Sequence, residues 1–235
     1  MRYFRHKLLI VTASIMFALT LFTSTIYANE EKKIIYLTFD DGPGAKVTEQ
    51  VLDILKEENV PATFFLIGEQ IKGQEDLVKR ISDEGHALGL HSMTHNKNKL
   101  YSSNTNFLNE MLEDQKIINE VTGKSPNILR FPFGSNNNSY HLKKSLVDLL
   151  HENNLRIYDW NVDSTDGAHS QASPSTFVKN AKSDKNNIIL LMHCGFQNKN
   201  SVIALPEIIK YYKDAGYEFR SISDDTEELF HYMKK

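Results

Sequence analysis

What this sequence has little of narrows it first. One cysteine, Cys194, stands in 235 residues, so no disulfide can form within the chain. A domain of this length can be stable on its apolar core alone. Cys194 adjoins His193, which reads either as a reactive thiol or, as for most free cysteines, as a small buried hydrophobe. The chain has no long basic patch, no internal repeat and no low-complexity tract. No Gly-x-Gly-x-x-Gly follows its first apolar run, so nothing supports a dinucleotide site. The formal net charge is −3, and the first 28 residues carry three basic and no acidic side chains. The remainder then has 24 basic against 30 acidic side chains, a net of −6, a poor balance for binding nucleic acid.

Forty per cent of the residues are hydrophobic, enough for one globular domain with a sizeable core. Residues 1–28 read differently from the rest. Arg2, Arg5 and Lys7 precede the apolar stretch LLIVTASIMFALTLF, and TSTIYA ends in the small residue Ala28 before Glu30 and Glu31. This is the grammar of a secretory signal peptide. The alternative is an uncleaved membrane anchor, since the apolar stretch is long. The expected organisation is a leader over 1–28 and a catalytic domain over 29–235, exported and either secreted or held at the cell surface.

Downstream, short apolar runs alternate with amphipathic ones. Strands are expected at 34–39, 62–68, 86–91, 127–132, 155–160, 187–193 and 217–222. Helices are expected at 47–59, 74–85, 105–123, 140–153, 174–182 and 202–215. Such alternation argues for parallel β/α units. About seven strands suggest a barrel, or a barrel missing a unit; a doubly wound open sheet is the alternative.

The unusual polar residues fall at the C-terminal ends of the apolar runs. Asp40-Asp41 ends IIYLTFDD; HSMTH (91–95), RFPFG (130–134) and DWNVDSTDG (159–167) follow later runs, and His193 closes IILLMH. In a β/α barrel these ends open onto one face, where active sites are built. Two adjacent carboxylates repel unless a cation lies between them. His91 and His95 are four apart, so one helical turn would put both rings on one side. Two His and one Asp make a three-ligand set for a catalytic zinc with a position left open, and the second Asp is then free to act as a base. Read separately, HxxxH is equally a pair of solvated histidines, and Asp-Asp-Gly-Pro-Gly a turn.

TFDDG, HSMTH, RFPFG, DSTDG and LLMH resemble, in order and spacing, the five motifs of the polysaccharide deacetylase family, carbohydrate esterase family 4. The resemblance spans residue 34 to about 222. It implies a distorted, incomplete (β/α) barrel that removes acetyl groups from acetylated sugars with a divalent metal, most often Zn²⁺. It implies that Asp41, His91 and His95 hold the metal and that Asp40 is the general base, aligned by Arg130. His193 would be the general acid, tuned by Asp166. Leu191 would line the acetyl pocket, and the Phe133 N–H would support the oxyanion. Together with the leader, it implies an exported N-deacetylase of N-acetylglucosamine residues, with peptidoglycan as the expected polymer, acting as a monomer. Chitooligosaccharide, poly-N-acetylglucosamine and acetylxylan remain open as substrates. A catalytically silent wall-binding protein and a structural metal in an unrelated barrel remain as other classes.

The fourth motif departs from the family, with Gly167 where Trp is usual. That suggests a more open groove, or an aromatic supplied by Phe196 or Tyr140. Phe131 also departs from the usual third motif. Asp163 reads equally as a turn residue or a functional one, and Trp160 as core packing or a sugar-stacking surface. His86, His141, His151, His169 and His231 match no motif and read as structural or solvated.

Overall fold

The structure is a computed structural model that describes residues 32–137 and 140–231. The leader read in residues 1–28 lies outside the described residues. Among the described residues the strands are β1 (Ile34–Gly42), β2 (Thr63–Leu66), β3 (Ala87–Leu90), β4 (Ile128–Leu129), β5 (Asn136–Asn137), β6 (Tyr140–His141), β7 (Arg156–Ile157), β8 (Val162–Asp163), β9 (Asn187–His193) and β10 (Glu218–Arg220). The main helices are Lys46–Glu58, Glu75–Asp83, Asn104–Thr122, Lys144–Glu152, Pro174–Asn180 and Lys199–Asp214, with short turns at Gly68–Ile71 and Lys97–Leu100. No helix among the described residues is long and apolar enough to cross a membrane.

Eight of these strands form one parallel sheet in the order β7-β4-β3-β2-β1-β9-β8, with β10 also on β1. Followed around, the order repeats the chain: β1, β2, β3, β4, β7, then β8, β9 and back to β1. This is a barrel that stays unpaired between β7 and β8, not a doubly wound sheet. β1 is its central strand. It pairs with β9 from Ile34 to Asp40. On its other edge it meets β10 at Ile34–Tyr36 and β2 from Thr38 onward. The open seam is lined by chain rather than by a strand pair: Tyr158 bridges to Leu229, and Asp159 N donates to Leu229 O.

Side-chain alternation sorts each strand into two cores. Ile35, Leu37, Phe39, Phe64, Leu129, Ile157, Ile188, Leu190 and Met192 pack outward under the helices. Phe65, Ile128, Tyr158, Ile189 and Ile222 form a separate interior cluster, with Tyr36 and Trp160 against it. Phe65 fits there because β3 offers Gly89 opposite; a Cβ on Gly89 would lie 2.5 Å from Phe65 Cδ1. The same alternation sends Thr38 and Asp40 of β1, Arg130 just past β4, and Leu191 and His193 of β9 to the interior side.

The structure differs from expectation at three places. The helix expected from 140 begins at Lys144, because Tyr140–His141 pairs antiparallel with Asn136–Asn137. There Asn137 Oδ1 accepts from Tyr140 N at 3.0 Å and closes the turn through a side chain. β8 is only two residues long and carries no periodic signal of its own. The HSMTH stretch is not helical, as described below.

Phe65→Ala empties the interior cluster and is expected to lower the unfolding free energy by about 3–5 kcal/mol. Ile203→Ser, at an exposed helix position, is expected to change it by no more than about 0.5 kcal/mol. Urea denaturation of both variants checks the contrast.

Candidate active site

Neighbouring residues on a regular strand point to opposite faces, so Asp40 and Asp41 could not both reach one site from an unbroken β1. The strand breaks there. Asp41 takes φ 63°, in the left-handed region. The register with β2 shifts between Phe39 and Gly42, as at a β-bulge. Asp40 keeps the interior orientation set by alternation, and the bulge turns Asp41 toward the same mouth.

HSMTH also departs from a regular path. Ser92 and His95 have φ 73° and 53°, so the expected helical turn is replaced by a loop with two left-handed residues. His95 N donates to Ser92 Oγ at 2.9 Å. Side-chain acceptors outbid the helical pattern here. The loop still brings the imidazoles together, with ring centroids 5.1 Å apart.

Asp41 Oδ1 lies 3.5 Å from His91 Nε2 and 3.5 Å from His95 Nε2, and it has no hydrogen-bond partner despite being buried. A tetrahedral ion with bonds of about 2.0–2.1 Å sets its ligand atoms about 3.4 Å apart. The spacing and the orphaned carboxylate oxygen therefore fit a divalent cation shared by Asp41, His91 and His95. His91 is prepared for this: its Nδ1 lies 3.0 Å from the Arg130 carbonyl oxygen, which fixes the tautomer that leaves Nε2 bare. Burial foremost, and the nearby His95, hold its pKa down to about 3, so the ring is neutral. Two nitrogens and one oxygen suit zinc among the common divalent ions.

Asp40 is engaged elsewhere. Its Oδ1 accepts from Arg130 Nη1 at 2.8 Å. Arg130 is fully buried, and every polar nitrogen of its guanidinium has an acceptor. Nη1 also donates to Thr38 Oγ1 at 2.7 Å, Nε to Tyr158 O at 2.7 Å, and Nη2 to Asp159 O at 3.0 Å. Its Cζ sits 4.3 Å from the Phe65 ring centroid, so the cation caps the interior core. Burial raises the Asp40 pKa, with the Arg130 charge opposing.

His193 stands beside Asp40, its register partner on β9. Its Nδ1 donates to Asp166 Oδ1 at 2.8 Å, and its backbone N donates to Asp166 Oδ2 at 2.9 Å. Ser201 Oγ donates to that same Oδ2 at 2.6 Å, and Asn198 Nδ2 to the Asp166 carbonyl at 3.2 Å. Burial works against a charged imidazole here. The hydrogen bond and charge of Asp166, with Asp40 and Asp41 behind it, outweigh burial and raise the His193 pKa to about 9. His193 is thus an imidazolium at neutral pH with Nε2–H left to give.

Leu191 is buried two residues before His193 on the same side of β9, beneath the site. Phe133 has φ 68°, its ring packs 4.7 Å from His95, and its N–H has no acceptor among the described residues. Asp159 fixes this loop, accepting from Ser135 N at 3.2 Å and from Ser135 Oγ. Asp163 Oδ1 accepts from Thr165 N at 2.6 Å, the geometry of a side-chain turn. Cys194 is fully buried, and burial pushes its thiol pKa up, so it is the inert hydrophobe of the two readings. Of the five unassigned histidines, none joins the cluster; His151 pairs with Glu228 at 3.0 Å and His231 Nε2 meets Trp160 O at 3.2 Å.

Gly167 lies directly against the His193 ring. A Cβ there would lie 2.3 Å from His193 Cε1 and 2.5 Å from Nε2. The imidazole itself occupies the space above the Gly167 backbone. Tyr140 does not supply a substitute wall; it stacks on Tyr101 at 4.4 Å. Phe196 stays 56% exposed on the loop after Cys194. Reasoning from the sequence missed Thr38, Glu110, Asp114, Asp159, Asn198 and Ser201. Thr38 and Asp159 stood unremarked inside TFDDG and DWNVDSTDG, and the two acidic residues of the helix Asn104–Thr122 interrupt its apolar spacing; Asn198 and Ser201 left no trace.

Gly167→Ala is expected to push His193 off Asp166. The downfield Nδ1–H resonance of that hydrogen bond should then vanish from the proton NMR spectrum; a resonance kept at its wild-type position would refute the contact.

The family profile described as Polysaccharide deacetylase matches residues 27–149. A peptidoglycan-N-acetylglucosamine deacetylase of Bacillus cereus is 40% identical over 206 residues, covering 85% of this chain and 73% of the relative. The crystal structure of the polysaccharide deacetylase Bc1974 from Bacillus cereus superposes with a TM-score of 0.78 at 39% identity, covering 86% of this chain and 97% of that one. The catalytic domain of a peptidoglycan N-acetylglucosamine deacetylase from Eubacterium rectale gives a TM-score of 0.80 at 32% identity, covering 88% and 96%. The chain belongs to the polysaccharide deacetylase family, carbohydrate esterase family 4, hydrolases that cleave N-acetyl amide bonds.

Proposed function

We propose that the protein is a divalent-metal-dependent N-deacetylase that removes acetyl groups from N-acetylglucosamine residues of peptidoglycan outside the cell. One observation carries the chemistry: an orphaned Asp41 oxygen between two imidazoles, with an Arg-held carboxylate and an Asp-held imidazolium next to it. The sugar and the polymer rest on the relatives, whose names specify peptidoglycan N-acetylglucosamine. The basic and apolar pattern of residues 1–28 supports export to that substrate.

A cation held by Asp41, His91 and His95 would act as a Lewis acid toward water and the acetamide carbonyl. The other groups divide the proton work. Asp40, aimed by Arg130, whose charge opposes the upward pull of burial on its pKa, takes the proton of the attacking water. The Phe133 N–H donates to the oxyanion as the carbonyl carbon becomes tetrahedral. An amine leaves poorly until protonated, and His193 Nε2–H supplies that proton. Leu191 gives the acetyl methyl an apolar floor.

The test is acetate release by residues 29–235 from peptidoglycan, after chelation and with Zn²⁺ restored. N-acetylglucosamine oligomers, poly-N-acetylglucosamine and acetylxylan are run in parallel. Release restored by the metal is expected, greatest on peptidoglycan, and Asp40→Asn is expected to lower kcat by about 10²–10⁴-fold. No release from any substrate by metal-loaded protein would overturn the assignment. Greater release from another polymer would move the substrate and keep the chemistry.

The pH profile follows from the sign of the His193 shift. A raised pKa keeps the acid protonated at lower pH, so the rate should fall as pH rises through about 9. Asp166→Asn removes the partner that outweighs burial, and the alkaline limb of kcat should then move to lower pH. An unmoved limb would assign that ionisation to another group.

A further inference from the structure

We infer that Glu110 and Asp114, one turn apart on the helix Asn104–Thr122, are positioning residues that set the His91–His95 loop for metal binding. The inference rests on the reading of Asp41, His91 and His95 as ligands. Neither carboxylate belongs to a motif, yet both are buried, at 1% and 0% exposure. One oxygen of each is committed to the same loop, while Asp114 Oδ1 is left without a hydrogen-bond partner. Asp114 Oδ2 accepts from His91 N at 3.0 Å. Glu110 Oε2 accepts from Thr94 N at 2.8 Å and from Thr94 Oγ1 at 2.8 Å. The Glu110 carbonyl adds a bond from Met93 N at 3.0 Å.

The loop needs such holding. Ser92 and His95 both sit at positive φ, a conformation that persists only when the surroundings over-determine it. A regular helical turn would supply its own backbone bonds; here the Met93 and Thr94 N–H groups turn to Glu110, His91 N is shared between Asp114 and Leu66 O at 2.8 Å, and His95 N bonds Ser92 Oγ. On the other side, Gly68 N donates to Ser92 O at 3.1 Å and Glu69 N to Met93 O at 2.8 Å. A Cβ on Gly68 would stand 2.5 Å from Met93 Sδ and 3.2 Å from Asp114 Oδ1, so the loop is clamped between Gly68 and the two carboxylates. The Glu110 charge is balanced by Lys99, with which it forms an ion pair. Losing Glu110 would free the Thr94 peptide next to His95, losing Asp114 would loosen the His91 peptide, and either would widen the ligand spacing.

The experiment measures Zn²⁺ affinity by competition with a chromophoric chelator, beside the melting temperature of the metal-free protein. Glu110→Ala and Asp114→Ala are expected to weaken Zn²⁺ binding by about 10–100-fold, the range for residues that orient metal ligands. Glu110→Gln keeps an acceptor for Thr94 and should recover most of the affinity. Glu113→Ala, on the exposed face of the same helix, should leave it unchanged. If an alanine variant does not fold, Glu110→Met fills the volume without an acceptor and takes its place. Folded variants that melt earlier but bind Zn²⁺ as tightly as wild type would overturn the inference, leaving these groups as helix packing only. Wild type and Asp41→Ala binding Zn²⁺ equally would instead overturn the ligand assignment on which it rests.

Discussion

A single buried cation holds the site to the barrel. Arg130 has no exposed surface, and its guanidinium donates to Asp40, Thr38, Tyr158 and Asp159 while resting on Phe65. A buried charge is tolerated only when it is paired and its donors are satisfied; here the acceptors come from β1 and from the segment that follows β7. The side chain therefore ties the two sides of the barrel mouth together and fixes one of the two adjacent aspartates. Its carbonyl also fixes the His91 tautomer. Arg130 takes Asp40 Oδ1, the other Asp40 oxygen stays 3.8 Å from His91 Nε2, and Asp41 Oδ1 lies 3.5 Å from both imidazoles, so the two like charges are drawn to different partners.

The acid side of the mouth is built on the opposite principle. At Asp40 a cation restrains a carboxylate; at His193 a carboxylate sustains a cation. Asp166 is itself buried and satisfied by Ser201, Asn198 and the His193 peptide. Burial alone would strip the proton from His193. The site thus sets a carboxyl whose pKa burial raises against the Arg130 charge beside an imidazole whose pKa Asp166 raises against burial, on neighbouring strands β1 and β9. Gly167 belongs to this arrangement, since only a residue without Cβ lets the imidazole lie over its backbone.

The sequence made the barrel and the location of the site legible because strand ends are marked by a change from apolar to polar residues. All seven expected strands exist, and alternation along β1 and β9 explains why Asp40 and His193 share a face. Three things were hidden. The bulge at Asp41 depends on a single left-handed residue that is not glycine, and propensity does not signal it. The HSMTH loop imitates a helical spacing, but its backbone bonds go to Leu66, Gly68 and Glu69 on one side and to Glu110 and Asp114 on the other, all distant in sequence. Asp159 and Ser201 act through tertiary contacts at long separation and lie outside every repeated pattern. Local rules pointed to the polar side chains that the fold gathers at the mouth; the groups that hold them are visible only once the chain is folded.

The central claim is that Asp41, His91 and His95 share one divalent ion while Asp40 does not. Anomalous diffraction at the zinc edge from crystals of the Zn²⁺-loaded protein tests it directly. The account predicts one strong peak within bonding distance of Asp41 Oδ1, His91 Nε2 and His95 Nε2, with Asp40 still on Arg130. A peak bonded to Asp40, or zinc bound at full occupancy elsewhere on the chain, would contradict it.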